Sequence, residues 1–197
     1  PPNGPITYAT AGILFYNEHG VLLTHEKGQI TTFRGKKDPP DTDYFMTAER
    51  EFLEENSPSN STVDSTITFQ VQPLLKHPST KAVFFNKKPP SPPYSVIFFV
   101  PMRLIGNIYN LDKTTTTSTR QRITSREIQS VQFYTFSDLK KLKNIAGDVQ
   151  RYVDVLLTDL SETSVSSSVP SSSSAQPPQP PPPPPPAPPA LPSVVSS

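Results

Sequence analysis

The chain has 197 residues, enough for one domain of ordinary size plus a tail. Its 18 basic and 17 acidic residues nearly cancel, so no overall field points to nucleic acid or an anionic membrane. Cysteine is absent, which excludes a disulfide framework, a zinc–thiolate site and a cysteine nucleophile, and fits an intracellular setting, cytoplasmic or nuclear. No run approaches the roughly 18 apolar residues of a membrane span. Residues 1–10 lack the parts of a secretion signal and an initiator methionine, as a fragment or processed product would.

Residues 8–16 read as a buried strand, Asn17-Glu18-His19-Gly20 as a turn, and residues 21–25 as the second strand of a β-hairpin. Residues 29–33 form a short third strand delivering the chain to a Gly35-Lys36 loop. A helix follows, centred on Arg50-Glu51-Phe52-Leu53-Glu54-Glu55. Glu51, Glu54 and Glu55 stand at i, i+3 and i+4, within about 100° of one helix face. Each like-charge pair costs about 0.2–0.5 kcal/mol, so the pattern asks for a compensating cation. Oxygen-only ligands suit a hard ion, Mg²⁺ or Mn²⁺; the plainer alternative is a solvated acidic surface. Phe45, Ala48 and Phe52 make an apolar stripe that docks the helix on a sheet. Arg50 can pair with Glu54 one turn on, or reach back to Asp41 or Asp43.

Residues 56–64 read as a polar loop containing Pro58 and a glycosylation-type triplet, Asn60-Ser61-Thr62, and residues 66–75 as a strand. Strands over residues 82–85 and 94–100 bracket a loop over 86–93 with four prolines, which bar sheet continuation. Lys87 and Lys88 lie in that loop, with Lys76, His77 and Lys81 upstream; they form either an exposed hairpin tip or a phosphate-steering rim, and His77 reads as a surface histidine. Residues 110–125, Thr-rich with Arg120 and Arg122, read as a long loop, either a substrate loop or disordered. Residues 130–136 form the last strand, Ser137 caps a short helix over 138–143, and residues 148–160 continue as an amphipathic helix. From residue 161 serine and proline dominate, with prolines unbroken over 180–186. Such a segment cannot offset its chain entropy by burial, so a domain over 1–160 and a disordered tail over 161–197 are expected. The tail is either solubilising or a polyproline ligand for SH3, WW, EVH1 or profilin-type grooves.

The segment from Phe33 onward resembles the box of the Nudix hydrolases: a glycine, five residues, a glutamate, seven residues, then Arg-Glu, an apolar residue, any residue, and Glu-Glu. Here Gly35 is the box glycine, Asp41 stands at the first glutamate, and Arg50 to Glu55 match the second half. Eight residues, not seven, separate Asp41 from Arg50, Arg34 replaces the usual glycine before Gly35, and Ser57 replaces the closing glycine. The helix end is therefore expected to be made by a left-handed Asn56 followed by Pro58. The likeness spans roughly residues 8–160, and its specific part is 33–57.

The resemblance implies an α/β fold, an α/β/α sandwich on a mixed sheet, and metal-dependent hydrolysis of the pyrophosphate bond of a nucleoside diphosphate linked to another moiety, capped RNA among the possible substrates. It implies Glu54 and Glu55 as main Mg²⁺ or Mn²⁺ ligands and Glu51 as ligand or base. It also implies the Arg34 carbonyl as a further ligand, Arg50 as the residue orienting a glutamate, and Glu127 as a candidate ligand or base. Lys36, beside Gly35, is a candidate phosphate contact. Two other readings stand beside it: a catalytically inactive Nudix-like binding module, and an adaptor working through its polyproline tail.

Overall fold

Alternating burial along the strands sets the architecture. The computed structural model describes residues 6–56, 71–86, 94–105, 119–122 and 128–166. The first strand, β1 (Tyr8–Tyr16), turns through Asn17, whose side-chain oxygen accepts the amides of His19 and Gly20, into β2 (Gly20–Glu26). Lys27 and Gly28 both have positive φ, 46° and 83°, the backbone that a two-residue hairpin turn requires. They lead into β3 (Gln29–Thr31), and after Thr32 the chain enters β4 (Phe33–Lys36).

The remaining elements are α1 (Tyr44–Asn56), α2 (Val71–Leu75), β5 (Lys81–Asn86), β6 (Tyr94–Pro101), a single 3-10 turn (Met102–Leu104), β7 (Thr119–Arg122), β8 (Ser130–Thr135), α3 (Phe136–Leu139) and α4 (Gly147–Ser166). The sheet runs β5-β6-β1-β2-β8-β7, with β3 beside β2 and β4 beside β1. β1 and β6 are parallel and the other pairings antiparallel, so the sheet is mixed.

Successive side chains on a strand point to opposite faces, and the sheet is apolar on both. Ala11, Ile13, Phe15, Leu22, Val96, Phe98, Val131 and Phe133 face α1 and α2. Leu14, Val21, Leu23, Ile97, Phe99 and Tyr134 face α4, against Val149, Tyr152, Val153 and Leu156. The result is the expected α/β/α sandwich, with the acidic helix on one side and the C-terminal helices on the other. No helix among the described residues is long and apolar enough to cross a membrane.

Several local expectations are corrected. The single strand over 29–33 is two strands that pair with different neighbours, β3 with β2 and β4 with β1. Gly35 and Lys36 belong to β4, not to a loop. Residues 71–75, expected as strand, are helical: Pro73 cannot donate to a ladder but is tolerated in a first helical turn. Part of the Thr-rich stretch is strand β7. The cap of α3 is Thr135, whose hydroxyl accepts the Asp138 amide at 3.2 Å, so this helix starts before Ser137. Helix α4 runs from Gly147 to Ser166, past the expected helix end at residue 160. Ser57, Pro58, the Asn60 triplet, Lys87, Lys88, Glu127 and residues 167–197 lie outside the described residues.

Candidate functional site

Helix α1 starts where Asp43 accepts the Met46 amide at 2.9 Å, an N-cap that satisfies one of the helix's open donors. Ala48 and Phe52 bury its inner face, with the Phe52 ring 5.1 Å from Phe33 and 5.6 Å from Phe15. The helix is thereby fixed across β4 and β1. Its end differs from expectation: Asn56 stays helical, and its side-chain Nδ2 donates to the Phe52 carbonyl at 2.6 Å.

Packing brings the two halves of the box together. A Cβ on Gly35 would coincide with the Glu51 carboxylate, so only glycine lets that carboxylate lie against the strand. Glu55, 2% exposed, turns under β4, where its Oε1 accepts the Arg34 amide at 3.4 Å. Glu54 is the outer member, with a side chain 53% exposed.

Arg50 is the hub of the acidic face. Its Nη1 lies 3.0 Å from both Glu51 Oε1 and Glu54 Oε2, and 3.4 Å from Asp38 Oδ2. Its Nη2 donates to Asp41 Oδ2 at 3.0 Å and to the Lys36 carbonyl at 2.8 Å, and its Nε donates to Asp41 Oδ1 at 3.3 Å. Hydrogen bonding to Asp41, with the Glu51 and Asp41 charges, raises the guanidinium's pKa despite burial. Arg50 thus supplies within the fold part of the positive charge that the carboxylate spacing calls for.

Asp41 is 4% exposed. Burial pushes its pKa up, but hydrogen bonds from Arg50, the Asp38 amide and Thr47 outweigh this and bring it down to about 2. The Thr47 hydroxyl reaches Asp41 at 2.8 Å and Tyr8 at 2.9 Å. The turn at Pro39-Pro40 is closed by the Asp41 amide, which donates to the Asp38 carbonyl at 3.0 Å, and delivers Asp41 beneath Arg50. Standing at the first glutamate of the box, Asp41 holds Arg50 in place.

On the other face of β4, Arg34 donates to the Tyr152 hydroxyl at 2.8 Å and pairs with Asp148 in the first turn of α4. A cleft of about 330 Å³ opens there, lined in part by Thr10, Thr31, Arg34, Lys36 and Asp148. The exposed Lys36 makes no ion pair among the described residues. Lys81 does not join a rim over the acidic helix: its ammonium binds Asp159 of α4 at 2.6 Å. His77 is exposed and accepts the Ser79 amide, as a surface histidine would. Asp148 and Tyr152 were not among the expected site residues. Asp148 carried only a first-turn acidic signal, and its approach to Arg34 depends on how α4 crosses the sheet.

Glu51, Glu54 and Glu55 form an oxygen-only donor set, chemically suited to Mg²⁺ or Mn²⁺. In the described arrangement Glu51 and Glu54 face Arg50, while Glu55 faces the Arg34 amide. No three His, Cys, Asp or Glu side chains among the described residues stand close enough to hold one ion together.

No family model and no curated protein matches the sequence. Among solved structures, the chain is similar to a bifunctional NMN adenylyltransferase/ADP ribose pyrophosphatase from Francisella tularensis, crystallised with AMP and a Mn ion. The identity is 12% and the TM-score 0.48, over 81% of this chain and 43% of that one, so the chain spans less than half of that protein's length. The NUDIX domain of Shewanella oneidensis NrtR, complexed with ADP ribose, is 14% identical with a TM-score of 0.45, over 80% and 90% of the two chains. A NUDIX-family hydrolase from Clostridium perfringens is 18% identical with a TM-score of 0.42, over 77% and 96%. Nudix domains are thus among the solved structures that the chain resembles.

Proposed function

We propose that the chain is a Nudix-type hydrolase that cleaves a pyrophosphate bond in a nucleoside diphosphate linked to another moiety, with Mg²⁺ or Mn²⁺. The observation that carries the reading is the seating of Glu51 on Gly35: residues sixteen apart in sequence share one contact that a side chain at position 35 would destroy. A solvated acidic surface needs no such fit. Glu51, Glu54 and Glu55, with the Arg34 carbonyl, would hold the ion. Once bound, it would lower the pKa of a coordinated water and neutralise phosphate oxygens.

The chain's own residues supply the rest. Asp41 holds Arg50, and Arg50 pairs with Glu51 and Glu54, so ion binding would exchange part of that pairing for the metal and draw Glu55 toward it. Lys36, exposed at the end of β4 beside Gly35, is the proposed ammonium contact for a phosphate oxygen. In the reaction a water oxygen bonds to one phosphorus, the bridging P–O bond breaks, and a carboxylate of the acidic face takes the water's proton. Glu51 is the proposed base, with Glu127 a second candidate for ligand or base.

The test is thermal unfolding with and without Mn²⁺, paired with a panel of diphosphate substrates that includes capped RNA, for wild type and Glu54→Gln. At an ion concentration of about 100 Kd, wild type should gain about 2.7 kcal/mol. Glu54→Gln should lose most of that gain and its product release. Equal stabilisation and equal hydrolysis in the two proteins would end this reading, and a wild type that releases no product would favour a binding module.

A further inference from the structure

Arg34 occupies a position that the Nudix box usually gives to glycine, and it is built into the fold in both directions. Its amide points to α1 and reaches Glu55 Oε1 at 3.4 Å. Its side chain points to the opposite layer, where the guanidinium pairs with Asp148, donates to the Tyr152 hydroxyl at 2.8 Å and lies 5.8 Å from the Tyr152 ring centroid. Tyr152 is 1% exposed, and its hydroxyl also lies 3.3 Å from Ser95 Oγ, itself 2.6 Å from Thr10 Oγ1. The neighbouring strand gives way: a Cβ on Gly12, opposite Arg34 in the ladder, would overlap the Arg34 Cβ and the Phe33 carbonyl. With a side chain only 21% exposed, Arg34 is committed to the fold and is not a free hook for a ligand.

We propose that Arg34 is a positioning residue: by pinning β4 to the start of α4, it fixes the backbone amide that orients Glu55, and so couples Asp148 to the acidic face across the sheet. For its effect on metal binding, this rests on the acidic face being the ion site. Outer partners of metal ligands act in this way, and losing one typically weakens affinity about 10–100-fold. Glycine at this position could supply the amide and the carbonyl but not the tie to α4.

The experiment titrates Mn²⁺ into the full chain as wild type, Arg34→Ala, Arg34→Lys, Asp148→Asn and Lys81→Ala. Arg34→Ala should weaken Mn²⁺ binding about tenfold or more, with Arg34→Lys and Asp148→Asn intermediate. Lys81→Ala cuts another ion pair between the sheet and α4, and should leave the dissociation constant unchanged. A wild-type dissociation constant in Arg34→Ala overturns the proposal. If wild type binds no Mn²⁺, the metal reading fails on its own, and the coupling is read in metal-free protein from exchange of the residue 34 amide. Asp148→Asn should speed that exchange several-fold relative to amides in β2 and β8. Unchanged exchange overturns the coupling.

Discussion

Asp41 makes the acidic face sensitive to pH. Its carboxyl has a folded pKa of about 2 against an ordinary 3.8, held down by Arg50, the Asp38 amide and Thr47 in spite of burial. A carboxyl with a depressed folded pKa binds fewer protons folded than unfolded. Its contribution is complete above the unfolded value and is lost as pH falls from about 4 to about 2, and it amounts to about 2 kcal/mol. Urea unfolding should therefore show an acid limb over that interval, and Asp41→Asn should flatten it while lowering stability at neutral pH. A variant with the wild-type acid limb would mean that another carboxyl carries the dependence. Arg50's pairing with Asp41 and Glu54 was legible because i, i+4 spacing and loop length limit what a guanidinium can reach. Asp148 was not, because no local rule joins it to a strand more than a hundred residues earlier.

At the scale of elements, two glycines separate packing from chemistry. Gly12 lies where β1 meets β4, and a methyl group there would overlap backbone: the Phe33 carbonyl and the Arg34 Cα. Backbone cannot step aside within a paired strand, so Gly12→Ala should cost about 1–3 kcal/mol or more, measured by chemical denaturation. At Gly35 the three atoms nearest an added Cβ all belong to the Glu51 carboxylate. Glu51 can rotate away for about 0.5–1.5 kcal/mol, partly offset by the reduced backbone freedom of the unfolded chain. Gly35→Ala should thus fold with nearly wild-type stability and lose most of its Mn²⁺ response. The reverse pattern, a collapsed Gly35→Ala and a silent Gly12→Ala, would contradict the assembled box. The long strands and the amphipathic helices α1 and α4 could be read from periodicity. The division at Thr32 could not, since it arises when one extended run changes partner from β2 to β1.

Across the whole molecule, the sandwich was legible because the two-residue alternation of the strands and the single apolar faces of α1 and α4 agree on a sheet covered on both sides. Misread stretches such as 71–75 are short, and there a proline and tertiary contact outweigh β-branched composition. The buried end of α4 defines how much chain the sandwich needs. Leu156 is 1% exposed in the core facing α4, and Leu157 and Leu160 pack against that core. We propose that stability resides in the residues up to Ser166. A chain ending at Ser166 should unfold at the same temperature as the full chain and keep its Mn²⁺ response, as expected if residues 167–197 serve partners and not the sandwich. Leu156→Ala, which opens a cavity between α4 and the sheet, should cost about 2–5 kcal/mol in either length of chain. A lower midpoint for the shortened chain would show that the tail packs on the domain, and the loss from Leu156→Ala would then differ between the two lengths.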